Sequence, residues 1–191
     1  MNYEAPKISL IMDLRRQGIT DKGVLSAVER VPREIFVPEA MRAEAYENIP
    51  LPISQGQTIS QPFIVAYMTQ ALCLGGRNRI LEIGTGSGYQ AAVLAQLSLR
   101  VCTIERYRTL LLQAEACFDT LKLHNITTRL GDGGKGWPEL APFTRIIVTA
   151  AAPTMPQSLV DQLDDGGIMV IPIGSPGEQV LYRITRHGEE F

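Results

Sequence analysis

The stretch Leu81-Glu82-Ile83-Gly84-Thr85-Gly86-Ser87-Gly88-Tyr89 decides the fold. It follows a short apolar run, Arg79–Ile83, and opens into the apolar segment Tyr89–Leu97, so it reads as a glycine-rich turn between a strand and a helix. Glycines there allow positive φ and let backbone approach a ligand with no Cβ in the way. Free N–H groups at a helix start favour a carboxylate or phosphate. Downstream the alternation continues. Strands are predicted at 100–104, 126–130, 145–149, 167–173 and 179–185, and helices at 108–121 and 156–163. The run at 145–149 is almost continuously apolar, as buried parallel strands are. Strand–helix alternation with right-handed crossovers implies a parallel, doubly wound α/β sheet with helices on both faces.

Upstream of Gly75-Gly76 the pattern is different. Ile8, Leu10, Ile11 and Leu14 share a helical face that Gly18 ends. A second helix carries Val24, Leu25, Val28 and Val31, with Thr20 or Asp21 as its cap and Pro32 as its stop. Residues 47–62 are irregular, and a third helix is predicted from Pro62 to Leu74 with Ile64, Val65, Met68, Ala71 and Leu72 as its apolar stripe. The expected division is a helical N-terminal region with an active-site loop over residues 1–75, and a sheet domain over 76–191, together forming one compact unit.

Composition narrows the function classes. Of the 191 residues, 45% are hydrophobic and 20% charged, which excludes wholesale disorder. Eighteen Lys+Arg against twenty Asp+Glu leave a net charge of −2, which argues against partners that demand a basic surface, whether nucleic acid or an anionic membrane. Cys73, Cys102 and Cys117 form no CxxC pair, and with only His124 and His187 there is no zinc-site spacing. All three cysteines sit in apolar sequence and are expected to be buried thiols of a reducing compartment; both histidines are expected on the surface. No signal-peptide pattern or membrane-spanning run is present, so the expectation is a cytoplasmic, soluble protein without metal.

The turn also narrows the ligand. A second strand ends in Ile104-Glu105, 21 residues past Gly84, where a carboxylate can accept from both ribose hydroxyls of a nucleoside. The spacing is Gly-x-Gly-x-Gly, with Tyr89 where a dinucleotide fingerprint has its third glycine. Glu82 would repel a pyrophosphate but could accept from the ammonium of an amino-acid moiety. The combination favours S-adenosylmethionine over NAD. Asp132, in Gly131-Asp132-Gly133-Gly134, could accept from the adenine amino group, or could simply form an Asx turn.

The chain resembles the protein-L-isoaspartate (D-aspartate) O-methyltransferase family. Gly56-Gln-Thr-Ile-Ser-Gln-Pro62 looks like that family's signature, and Val31–Pro38, Leu81–Tyr89, Gly136-Trp-Pro138, Ala141-Pro-Phe143, Ile146–Ala152 and Gly166–Gly174 follow in its order. The resemblance implies a Rossmann-like class I S-adenosylmethionine-dependent methyltransferase sheet. It also implies transfer of methyl to the abnormal isoaspartyl carboxyl of damaged proteins and peptides, with S-adenosyl-L-homocysteine as product. By the same resemblance Ser60 is the catalytic hydroxyl that holds the acceptor, and Thr58, Ile59 and Ser60 line the donor. Glu82, Gly84, Thr85, Gly86, Gly88, Glu105, Asp132 and Gly133 complete the expected donor site. Ser60 could equally cap the helix that begins at Pro62. Trp137 could stack on a ligand or pack the loop, and the small residues 150–152 leave room for a peptide backbone.

Two departures from the family pattern are Thr144, where an acidic residue is usual, and Lys122, where glycine is common. The family continues for another strand after Arg186-His-Gly188, so a longer full-length product is expected. A monomer is expected. Three other readings stay open: the same donor with a small-molecule or RNA acceptor, a non-catalytic donor-binding module, and, least favoured by Glu82 and Tyr89, an NAD oxidoreductase.

Overall fold

The computed structural model describes residues 2–175, 177–188 and 190–191. Two helices, α1 (Glu4–Arg16) and α2 (Lys22–Arg30), open the chain. Asp21 caps α2, its carboxylate accepting from the Gly23 and Val24 N–H groups at 2.8 and 3.1 Å. A two-stranded strap follows, β1 (Leu51–Pro52) against β2 (Thr58–Ile59), and then α3 (Pro62–Ala71). The remaining elements are β3 (Arg79–Ile83), α4 (Tyr89–Ala95), β4 (Arg100–Glu105), α5 (Arg108–Thr120), β5 (Ile126–Leu130), β6 (Phe143–Val148), α6 (Gln157–Val160), β7 (Leu163–Ser175) and β8 (Glu178–Thr185).

The sheet order is β5-β4-β3-β6-β7-β8, parallel except that β8 runs antiparallel to β7. The order reverses between β3 and β6, so a crevice opens at their carboxyl ends, where open α/β sheets bind ligands. Side chains alternate between two buried clusters. Ile80, Val101, Ile147 and Val170 join the cluster that contains Leu14, Val28 and Leu72 of the N-terminal segments and Ala92 of α4. Leu81, Cys102, Ile146 and Met169 join the opposite one, closed by Leu159 and Val160 of α6. One apolar cluster therefore runs from the first helix into the sheet.

Several expectations need correction. The third helix stops at Ala71; Leu72 is its C-cap and Cys73 turns left-handed with φ 50°. That conformation puts Cys73 at the surface, whereas Cys102 is buried and Cys117 half-buried. Ile8 and Ile64 are exposed, because the helices bury the neighbouring Leu10, Ile11, Val65 and Met68 instead. The two histidines are exposed, as expected. Thr144 Oγ1 accepts from the Arg79 N–H at 3.0 Å and donates to the Arg79 carbonyl at 3.2 Å, tying β6 to β3. At the chain's end His187 pairs with Glu190, and Glu189, which follows the expected turn Arg186-His-Gly188, lies outside the described residues.

Candidate active site

A cavity of about 480 Å³ occupies the crevice, within the range of ~300–1,000 Å³ typical of ligand pockets. The glycine turn forms its floor through Gly84, Thr85 and Gly86. Gly84 and Thr85 are pinned to β4, their N–H groups donating to the Ile104 carbonyl at 2.9 and 3.3 Å. Glu105 stands at the tip of β4. One of its oxygens accepts from the Gly86 N–H at 2.8 Å and the other from the Tyr107 N–H at 2.9 Å. A carboxylate offers about four acceptor sites, so each oxygen retains capacity toward a ligand. Asp132 and Gly133 reach the wall from the end of β5. Asp132 also accepts from the Gly134 N–H at 3.0 Å, so the turn-forming and wall-lining readings both apply.

The strap supplies the opposite wall through Thr58, Ile59 and Ser60. Helix α3 has Gln61 at its N-cap, with no side-chain capping bond, so the Ser60 hydroxyl is not a helix cap. The small residues Ala150, Ala151 and Ala152 line the rim after β6. Trp137 is absent from that wall; it packs on the α6-side cluster with the Arg129 guanidinium 5.2 Å from its ring.

Two of the expected donor residues lie off the cavity wall. Glu82 is fully buried beneath the turn and off the cavity wall. It lies two residues from Ile80, so β3 turns it toward the face covered by α4. Its Oε2 accepts from the Thr103 hydroxyl at 2.5 Å, Thr103 meets the Thr85 hydroxyl at 2.7 Å, and Oε1 has no partner. Burial pushes this carboxyl up to about 8, against a smaller opposing effect of the Thr103 hydrogen bond. Gly88 also lies off the wall. With φ 89° it starts α4 hard against α5, and a Cβ there would stand 2.8 Å from Phe118 Cε1 and 3.0 Å from Ala114 Cβ.

Residues 5–191 match the family model for protein-L-isoaspartate(D-aspartate) O-methyltransferase. The chain belongs to that family. It is 62% identical over 189 residues to the protein-L-isoaspartate O-methyltransferase of Parvibaculum lavamentivorans, covering 97% of this chain and 85% of that one. A solved protein-L-isoaspartate O-methyltransferase superposes with TM-score 0.86 at 28% identity, covering 95% of this chain and 60% of that one. A beta-aspartate methyltransferase of Plasmodium falciparum, solved with S-adenosyl-L-homocysteine, superposes with TM-score 0.82 at 30% identity, covering 93% and 88%.

The family's donor fits the cavity found here. Glu105 suits a diol, Asp132 an exocyclic amine, and a Cβ added at Gly86 would meet only Ile53 Cδ1 at 4.0 Å. Tyr89, Gln90 and Thr149 also line the cavity and were not among the expected donor-site residues. Tyr89 is buried with its hydroxyl unpartnered, the Arg33 guanidinium 4.9 Å from its ring, and burial pushes its phenol up to about 12. Thr149 donates to the Gly84 carbonyl at 2.6 Å and so joins β6 to the turn. A polar residue inside the apolar helix Tyr-Gln-Ala-Ala-Val-Leu-Ala was the available signal for Gln90.

Proposed function

We propose that this chain methylates the free carboxyl of L-isoaspartyl and D-aspartyl residues in damaged proteins and peptides, using S-adenosylmethionine and initiating their repair. The observation that carries this reading is Ser60. Ser60 makes no capping bond to α3 and lines the same cavity as Glu105. The donor supplies an activated methyl on a sulfonium centre. Glu105 and Asp132 hold its nucleoside end, and the turn from Gly84 to Gly86 supports its middle. Ser60 Oγ donates to one oxygen of the acceptor carboxylate and orients the other.

A carboxylate has an unperturbed pKa near 4 and is ionised at neutral pH, so no general base is needed. Among the described lining residues there is no histidine, cysteine or lysine. The chain's contribution is alignment and exclusion of water, a proximity effect worth up to ~7–11 kcal/mol. The strap serves both, since Ile53 sits over the turn and Ser54 Oγ bonds Gln113 Oε1 of α5 at 3.0 Å.

The same reading includes the two regions, 1–75 and 76–191, acting as one unit, as the shared apolar cluster supports. It also includes a cytoplasmic monomer with protein and peptide substrates and no nucleic-acid or membrane partner, in keeping with the net charge of −2. Among the described residues no helix is long and apolar enough to cross a membrane. Ser60→Ala is expected to slow methyl-ester formation on an isoaspartyl peptide by about tenfold or more, as for loss of a hydrogen bond to a charged group. Unchanged turnover would remove Ser60 from this role.

A further inference from the structure

The amino-acid end of the donor carries an ammonium that needs an acceptor. Glu82 is sealed under the turn and does not reach the cavity, so it does not meet that need directly. Gln90 lies in the first turn of α4, is 7% exposed and lines the cavity. Its orientation follows from hydrogen-bond accounting. The Thr69 hydroxyl of α3 donates its one proton to the Val65 carbonyl at 2.7 Å. Toward Gln90 it can therefore only accept, and the Gln90 Nε2 donates to it at 2.9 Å. The amide oxygen is thereby turned the other way. No described group donates to Oε1, and it is not among the buried atoms left without a partner, which places it against the open cavity.

Its position in the fold also fits. Helix α3 is held over the β6–β8 side of the sheet, where Arg145 donates to the Leu72 carbonyl at 2.6 Å and Arg183 to the Ala71 carbonyl at 2.9 Å. Glu105 and Asp132 come from β4 and β5, on the other side of β3. A donor whose ribose is held at Glu105 therefore extends its amino-acid end toward Gln90, Val65 and Ser60.

We propose that Gln90 accepts a hydrogen bond through Oε1 from the α-ammonium of the donor and so fixes the end of the donor nearest Ser60. This rests on the S-adenosylmethionine reading above. The test is calorimetric titration of the full chain and its Gln90→Leu and Gln90→Glu variants with three probes. They are S-adenosyl-L-homocysteine, its analogue lacking only the amino group, and 5′-methylthioadenosine, which lacks the amino-acid end. Gln90→Leu is expected to weaken S-adenosyl-L-homocysteine by about tenfold or more, the scale of a hydrogen bond to a charged group. Binding of the other two probes should be unchanged, and Gln90→Glu should retain S-adenosyl-L-homocysteine.

Equal weakening of all three probes by both variants would mean a packing role and overturn the assignment. So would S-adenosyl-L-homocysteine affinity unaffected by Gln90→Leu. Failure of the unsubstituted chain to bind S-adenosyl-L-homocysteine would instead overturn the donor reading together with this one.

Discussion

Gly88 and Gly86 stand two residues apart in one turn but meet different surroundings, one packed against α5 and one facing the cavity. An alanine Cβ at Gly88 would stand 2.8 and 2.9 Å from the Phe118 ring and 3.0 Å from Ala114 Cβ, on a backbone with φ 89°. The left-handed backbone costs about 1–2 kcal/mol with a Cβ present. Crowding a packed helix contact costs about 1–3 kcal/mol more. Gly88→Ala is therefore expected to destabilise the fold by about 2–5 kcal/mol. At about 2–4 °C per kcal/mol for a domain of this size, Tm falls by roughly 4–20 °C. At Gly86, φ is 53° and the nearest atom is Ile53 Cδ1 at 4.0 Å. Gly86→Ala should cost only the backbone part, about 1–2 kcal/mol, but it places a methyl group at the cavity floor beside the strap. Thermal and urea unfolding give the stabilities; calorimetric titration with S-adenosyl-L-homocysteine well below Tm gives the affinities. Gly88→Ala should lose mainly stability, and Gly86→Ala mainly affinity. Equal stability losses, or a Gly88→Ala variant as stable as the parent, would refute this division of the turn.

Lys122 follows the last turn of α5 with φ 55°, while the Leu123 N–H returns to the Phe118 carbonyl at 3.0 Å, a helix ending that favours glycine. Lys122→Gly should raise stability by about 0.5–1 kcal/mol in urea titrations, and a loss would contradict that geometry. Asp21→Ala removes the acceptor for two N–H groups and should cost about 1 kcal/mol by the same measurement, with no loss counting against the cap. Glu82 has its carboxyl raised from 4.5 to about 8, so the folded chain binds that proton more tightly than the unfolded chain. This contribution to stability is complete below about pH 4.5 and is lost as pH rises through about 8. Glu82→Gln cannot ionise, so its Tm should gain on the parent as pH rises from about 4.5 to about 8; a pH-independent difference would contradict the sealed carboxyl.

Much of the site was legible because the turn sits between a strand and a helix, which fixes where a parallel sheet opens. Glu105 and Asp132 then follow as residues at strand ends. The strap residues came instead from resemblance, since nothing in the periodicity of 47–62 indicates where an irregular segment lies. The burial of Glu82 away from the cavity was hidden for an identifiable reason. Its strand is covered on both faces, so the apolar run conceals which face each position takes, and only the observed register shows Glu82 on the Ile80 side under α4. Gly88 looked like a ligand contact because glycine spacing does not separate backbone approach to a ligand from helix packing. Gln90 is polar in an otherwise apolar helix, but its partner Thr69 is 21 residues away on another helix, so neither its role nor its orientation is legible without the fold.

Methyl transfer to an isoaspartyl carboxyl is tested most directly by supplying the enzyme with labelled S-adenosylmethionine and two peptides of identical sequence, one with an L-isoaspartyl and one with a normal L-aspartyl linkage. The measured quantity is base-labile methyl ester. Label on the isoaspartyl peptide alone is the expected result; equal label on both peptides, or none on either, would contradict the account.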